Sequence, residues 1–237
     1  MPQRLPGPST ILAIVPLFIV YTLFIAAMTF VSAPAIAQRT PATAQQSPIR
    51  LTSPSGKLQA DVFIDPTDHL AWSLKLDGHP IVESSLLGID AGSADHGQNI
   101  RLGAPIFSIN NTSYPWKGVH NTARNHYRQA RIPITGKVRY TLECRAFDDG
   151  FAFRYIVPGT NTLVTGESTS WHIPESSRVW YQENVYYYEG LHYTSNIKDL
   201  GVKMLGPPLT YETPAGIYAT ITEAALYDYS GMSLRSD

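Results

Sequence analysis

Apolar and polar positions alternate from Leu58 onward, with Leu58, Ala60, Val62 and Ile64 on one face and Gln59, Asp61 and Asp65 on the other. A period of two predicts a half-buried strand. The next run repeats the pattern, turning Leu70, Trp72, Leu74 and Leu76 inward and Ser73, Lys75 and Asp77 outward, and it stops at Asp77-Gly78. That pair predicts a tight hairpin, because a two-residue turn of the favoured hand needs positive φ at both positions. A second unit of the same grammar spans residues 140–147 and 151–157 around Asp148-Asp149-Gly150. Between the two units, residues 92–133 hold Trp116, His120, His126 and Tyr127 among glycines and asparagines, and predict long loops with one or two strands. Proline and glycine, 18 and 17 in all, interrupt the chain so often that no helical period of three turns survives beyond residue 37. No repeat of fixed period is visible. The pattern as a whole predicts an all-β fold, a large antiparallel β-sandwich.

The amino-terminal stretch stands apart from this grammar. Arg4 supplies a positive start, residues 11–30 are almost unbroken in their hydrophobicity, and Ala35-Ile36-Ala37 follows. An apolar helix followed by small residues at this spacing predicts a secretory signal peptide over residues 1–37, cleaved before Gln38. The rival reading is an uncleaved membrane anchor, since about 20 apolar residues reach across a bilayer. Either way the remainder is exported, to the periplasm or beyond. Residues 38–50, beginning QRTPATAQQSP, predict a flexible linker, and residues 51–237 the sandwich domain.

Composition narrows the partners. A content of 43% hydrophobic and 16% charged residues describes a globular chain. The formal net charge of -1 and the lack of any lysine or arginine run offer nothing to a phosphate backbone, which excludes nucleic acid as an expected partner. With Cys144 alone there is neither an intrachain disulfide nor a cysteine-cluster metal site to build.

Three segments carry candidate chemistry. Asp148 and Asp149 are paired carboxylates, but adjacent turn residues point apart, so they read as turn caps rather than an acid/base pair. Arg145 and Arg154 flank them as cross-strand or loop anchors. In the segment Ile217-Tyr218-Ala219-Thr220-Ile221-Thr222-Glu223, the alternation puts Glu223 at the end of the apolar row Ile217, Ala219, Ile221. A carboxylate there needs an arginine, a metal ion or a proton, so Glu223 is either a functional ligand or one half of a strand-end ion pair. Finally, Trp180, Tyr181, Tyr186, Tyr187, Tyr188 and Tyr193 crowd together with Glu183 and Glu189 interleaved. Flat rings beside carboxylates suit a sugar, and they equally suit a core and an interdomain surface.

The order and spacing of several strings resemble the amino-terminal domain of family 97 glycoside hydrolases over about residues 50 to 234. They are Ser53-Pro54-Ser55-Gly56-Lys57-Leu58, Pro80-Ile81-Val82 with Ser85-Leu86-Leu87-Gly88, Arg145-Ala146-Phe147-Asp148-Asp149-Gly150 with Ala152-Phe153-Arg154-Tyr155, Pro207-Pro208-Leu209-Thr210, and Ile221-Thr222-Glu223-Ala224 with Tyr229-Ser230-Gly231-Met232. The resemblance implies an exported super-sandwich that precedes a catalytic (β/α)8 barrel and a small β domain in enzymes cleaving α-linked glucosides or α-galactosides. It further implies that Glu223 helps hold a calcium ion with barrel glutamates, an oxygen ligand for a hard cation. Tyr187, Tyr188 and Glu189 would then lie on the rim that meets an α-linked oligosaccharide. Such hydrolysis requires two carboxyl groups about 5 to 9.5 Å apart across the scissile bond. By the resemblance those groups belong to the barrel, which the sequence through Asp237 does not contain, so this chain alone is expected to be inactive. Two functions follow as expectations: a non-catalytic domain that packs on a barrel, or a stand-alone carbohydrate-binding or assembly module.

Overall fold

The computed structural model describes residues 46–91, 94–95, 97–159, 163–187, 189–227 and 229–237. The expected signal peptide, most of the expected linker and the rim candidate Tyr188 lie outside the described residues. Among the described residues seventeen strands run in the order β1 (Ile49–Thr52), β2 (Leu58–Ile64), β3 (Leu70–Leu76), β4 (His79–Leu86), β5 (Ile89–Ala91), β6 (Ala94–Asp95), β7 (Arg101–Leu102), β8 (Ile106–Pro115), β9 (Thr122–Thr135), β10 (Tyr140–Ala146), β11 (Phe151–Ile156), β12 (Val164–Glu167), β13 (Arg178–Gln182), β14 (Tyr193–Asn196), β15 (Met204–Glu212), β16 (Tyr218–Ile221) and β17 (Leu234–Arg235). The only helical turn among the described residues is a 3-10 turn, Ile197–Asp199, so no part of a (β/α)8 barrel lies within them.

All pairings are antiparallel and fall into four sheets, β1-β2-β3-β4, β11-β10-β9-β7 with β8 also on β9, β12-β5-β6, and β14-β13-β15-β16 with β17 also on β15. The inward positions read from the alternation are the ones the fold buries. Leu58, Ala60, Val62, Leu70, Trp72 and Leu74 of the first sheet share one core with Ala130, Ile132, Ile134, Leu142, Cys144 and Ala146 of the second. Val179, Tyr181, Leu209, Tyr211 and Ile221 of the fourth sheet join the same core. Each fully buried aliphatic side chain of this set contributes about 1.5–3 kcal/mol. Trp72 stacks on Phe151 with ring centroids 5.5 Å apart and meets Phe153 edge-on at 5.4 Å, which ties the first sheet to the second. Tyr211 is buried, and its hydroxyl donates to the Ile81 carbonyl oxygen at 3.0 Å, which ties the fourth sheet to the first. Burial pushes its phenol well above the ordinary range, and pushes the Cys144 thiol up to about 12, leaving that thiol inert.

Both predicted hairpins form. At the first turn Asp77 and Gly78 have φ of 48° and 83°, the positive pair that its twist demands. At the second, Phe147 N–H donates to the Gly150 carbonyl oxygen at 2.8 Å, and the Asp148 carboxylate accepts the Ser55 N–H at 2.8 Å. Asp148 is thus an anchor for the turn at Ser53–Gly56, as a structural reading of the acidic pair requires.

Two expectations are corrected. Residues 92–133 are not mainly loops, since the longest hairpin among the described residues, the 10-residue β8 against the 14-residue β9, occupies most of them. Its alternation is invisible because β8 is exposed along nearly its whole length, so no face of it had to be apolar. The linker also ends earlier than residue 50. The Gln46 amide donates to the Leu102 carbonyl oxygen at 2.9 Å and accepts the Leu102 N–H at 3.1 Å, and β1 begins at Ile49 opposite Val62. A polar side chain capping a strand edge leaves no hydrophobic signature in the sequence.

Candidate functional site

The register of the fourth sheet gathers the sequence candidates at one end. Gln182, the last residue of β13, sits opposite Gly206 near the start of β15, and Ile221, the last residue of β16, sits opposite Leu209. The loop leaving β13 and the segment leaving β16 therefore emerge at the same edge, although about 40 residues separate them in sequence.

The β13 loop is built by close polar contacts. Asn184 Oδ1 accepts the N–H groups of Tyr186 at 3.0 Å and Tyr187 at 3.1 Å, the local turn that an asparagine side chain favours. Gln182 is fully buried and its Nε2 donates to the Pro207 carbonyl oxygen at 3.2 Å, while its Oε1 has no partner among the described residues. A Cβ on Gly206 would overlap the Asn184 carbonyl oxygen, so only glycine lets β15 pass the loop. Lys203 donates from Nζ to Glu183 Oε1 at 2.6 Å, and that carboxylate raises the Lys203 ammonium above its ordinary value.

The aromatic crowd divides. Tyr181 is core, 7% exposed, and its ring meets that of Tyr193 at 5.7 Å. Trp180 is on the opposite face of the sheet. Tyr186 and Tyr187 are exposed, 92% and 59%, and Glu189 is exposed beside them. Of the rim candidates, Tyr187 and Glu189 are thus presented to solvent on the β13 loop.

Glu223 lies two residues beyond β16 and is half-buried. Ile217, Ala219 and Ile221 do pack on the core, as the apolar row predicts. Glu223 is not in a strand-end ion pair with any of the described residues. Its Oε2 accepts the Met232 N–H at 2.6 Å, closing the neck of a return segment over residues 223–232. A Cβ at Gly231 would stand 3.6 Å from Oε1, an ordinary contact. The far side of this segment is tied by the Tyr229 hydroxyl donating to Glu167 Oε2 at 3.4 Å, with Thr169 Oγ1 donating to Glu167 Oε1 at 2.8 Å. Partial burial and then the Glu167 charge raise the Tyr229 phenol.

Among the described residues no three His, Cys, Asp or Glu side chains form a cluster able to hold a metal ion. The donor set fits calcium in one way only, with Glu223 as a single carboxylate ligand among six to eight oxygens drawn mostly from elsewhere.

Two structural residues escaped the sequence. Glu143 of β10 is 5% exposed and takes three guanidinium groups, Arg131 at 3.4 Å, Arg145 at 3.2 Å and Arg154 at 2.9 Å. Arg145 and Arg154 are indeed cross-strand anchors, and register alone could have named Glu143 as their target, since it lies opposite Arg131 and Arg154. Gln182 escaped because a bulge between Trp180 and Gln182 re-aims it, contrary to the alternation.

The comparisons agree with this architecture. Over 160 residues, 64% of this chain and 24% of the relative, the sequence is 29% identical to a probable retaining alpha-galactosidase of Streptomyces bingchenggensis (strain BCW-1). The fold matches a glycoside hydrolase family 97 enzyme from Pseudoalteromonas sp. strain K8, solved in complexes with panose and with acarbose, at a TM-score of 0.72 and 21% identity over 80% of this chain and 30% of that one. A beta-arabinopyranosidase matches at a TM-score of 0.71 and 18% identity, over 80% of this chain and 33% of its own. This chain therefore spans between a quarter and a third of the relatives it matches. The family model described as glycosyl-hydrolase 97 N-terminal matches residues 51–237, and with that span the chain belongs to the family of amino-terminal domains of glycoside hydrolase family 97.

Proposed function

We propose that this domain serves an exported α-glycoside hydrolase without performing the chemistry, packing on a catalytic barrel and lending it Glu223 as one calcium ligand and the β13 loop as part of the substrate rim. The observation that carries the reading is the placement of Glu223. It is a half-buried carboxylate with no basic partner among the described residues, at the same sheet end as the loop of Tyr187 and Glu189. Tyr188 belongs to that loop by sequence. The calcium, when bound, would supply a fixed positive charge that orients carboxylates and polarises a sugar oxygen. Glu223 would hold its carboxylate still through the Met232 N–H, and Tyr187 would offer a flat ring to an α-linked oligosaccharide. A family relative solved with panose and acarbose supports that ligand class.

Export follows from the apolar leader and Ala35-Ile36-Ala37. The mature protein should begin at Gln38 by mass, and a retained leader would make it membrane-anchored instead.

Glu223→Gln tests the site in a full-length family 97 enzyme carrying this domain. The amide oxygen still accepts the Met232 N–H, so the segment survives while the charge is lost. Calcium half-saturation should rise about tenfold or more, with hydrolysis of an aryl α-glycoside falling in parallel. Unchanged calcium dependence with full activity would show that Glu223 only closes its return segment.

A further inference from the structure

The fourth sheet has a second face, turned away from the core. Register aligns Arg178, Glu212 and Tyr218 across β13, β15 and β16 in one row, and Trp180, Thr210 and Thr220 in the next. Trp180 and Tyr218 stand on strands that do not touch, with β15 between them, yet their ring centroids are 5.9 Å apart at an interplanar angle of 31°. The two rings thus lean together across β15 and form one apolar surface. Tyr218 keeps 64% of its surface exposed, while Trp180 is half-buried.

Polar groups lie over and around the two rings. The Arg178 guanidinium lies 5.1 Å from the centroid of the Trp180 ring, and Glu212 sits directly opposite Arg178 in the register. The neighbouring Glu212 carboxylate raises the Tyr218 phenol. Thr210 and Thr220 share a hydroxyl contact of 3.0 Å. Adjacent rings, one donor fork, one acceptor carboxylate and hydroxyls match a neutral pyranose, which offers a C–H face to aromatics and vicinal hydroxyls to paired donors and acceptors. One guanidinium with one carboxylate opposite it in the register leaves this row no surplus of positive charge, which acidic glycans and nucleic acid need.

We propose that this face is a surface carbohydrate-binding platform, separate from the β13 loop, on which Trp180 and Tyr218 stack against a neutral pyranose of a polysaccharide while Arg178, Glu212 and Thr220 hydrogen-bond its hydroxyls. The platform stands whether or not Glu223 holds calcium. It would keep the domain on a polymer while other parts of a protein act on chain ends.

The test is native gel electrophoresis of the mature chain through gels containing soluble starch or, separately, galactomannan. The wild type should be retarded by at least one polymer. Tyr218→Ala should weaken the apparent affinity about fivefold, about 1 kcal/mol. Trp180→Ala should act in the same direction, with Trp180→Phe recovering part of the loss. Trp116→Ala, on the distant β8–β9 hairpin, should migrate as the wild type does. Tyr218 is exposed enough that its removal leaves the fold intact, so it carries the test even where Trp180→Ala does not fold. An unretarded wild type in both gels overturns the platform. So does retardation that survives Tyr218→Ala but disappears in Tyr187→Ala, which would place polymer binding on the loop instead.

Discussion

Glu143 and Glu223 are both carboxylates withdrawn from water, and the domain treats them in opposite ways. Glu143, on the outer face of the second sheet, is ringed by Arg131, Arg145 and Arg154 and has no capacity left over. Glu223, at the open end of the fourth sheet, receives a backbone N–H from Met232 and no cation from the described residues. The first carboxylate is matched by guanidinium groups, whereas the second is held by one backbone N–H and is not neutralised by the described residues. The difference teaches that partial burial alone does not mark a functional acid. What separates the two is how far their partners match their burial.

The sharpest way to break this contrast is to remove Glu143. Glu143→Ala strands three guanidiniums against one another and should lower stability by about 2 to 3 kcal/mol, less than the ~3–5 of a fully buried pair because the arginines reach water. Chemical denaturation of the mature chain reads this, and a loss below about 0.5 kcal/mol, the level of an ordinary surface change, would mean the cluster is surface decoration. Next in size is Gly206→Ala, whose Cβ must push the Asn184 carbonyl aside. It should cost about 1–2 kcal/mol and loosen the β13 loop, seen as faster amide exchange confined to that loop. An unchanged loop would show that β15 and the loop are not locked together.

Glu223→Gln should by contrast leave stability within about 0.5 kcal/mol, since the Met232 N–H keeps an acceptor, whereas Glu223→Ala should lose about 1 kcal/mol with that bond. Equal losses in Gln and Ala would instead mean that the charge itself stabilises the isolated domain, against the contrast drawn here. The smallest effect concerns Asp148, which the Ser55 N–H and hydroxyl hold below the usual carboxylate range. A depressed carboxylate adds stability above its unfolded value, near about 3.9, and loses it as pH falls through the lower folded value. Asp148→Asn should therefore be slightly less stable than the wild type at neutral pH, with the gap closing below about pH 4. A gap that persists in acid would assign the effect to turn geometry rather than charge.

Much of this molecule can be read from its pattern. The two-residue period places Leu58 through Val62 and Leu70 through Leu74 in the core, Asp77-Gly78 names its own turn, and the row Ile217, Ala219, Ile221 leads to Glu223, all because side-chain direction in a strand is local. The long β8–β9 hairpin escapes the same reading, since a strand exposed along nearly its whole length imposes no period. Pairing decided the rest. Only the register brings Arg131 and Arg154 to Glu143, sets Tyr187 and Glu223 at one sheet end, and leans Trp180 toward Tyr218 across β15. A single bulge turns Gln182 from its expected face into a buried support for the loop. Alternation fixes which way a side chain points, but its neighbours come from strands distant in sequence, and the tertiary structure alone chooses those.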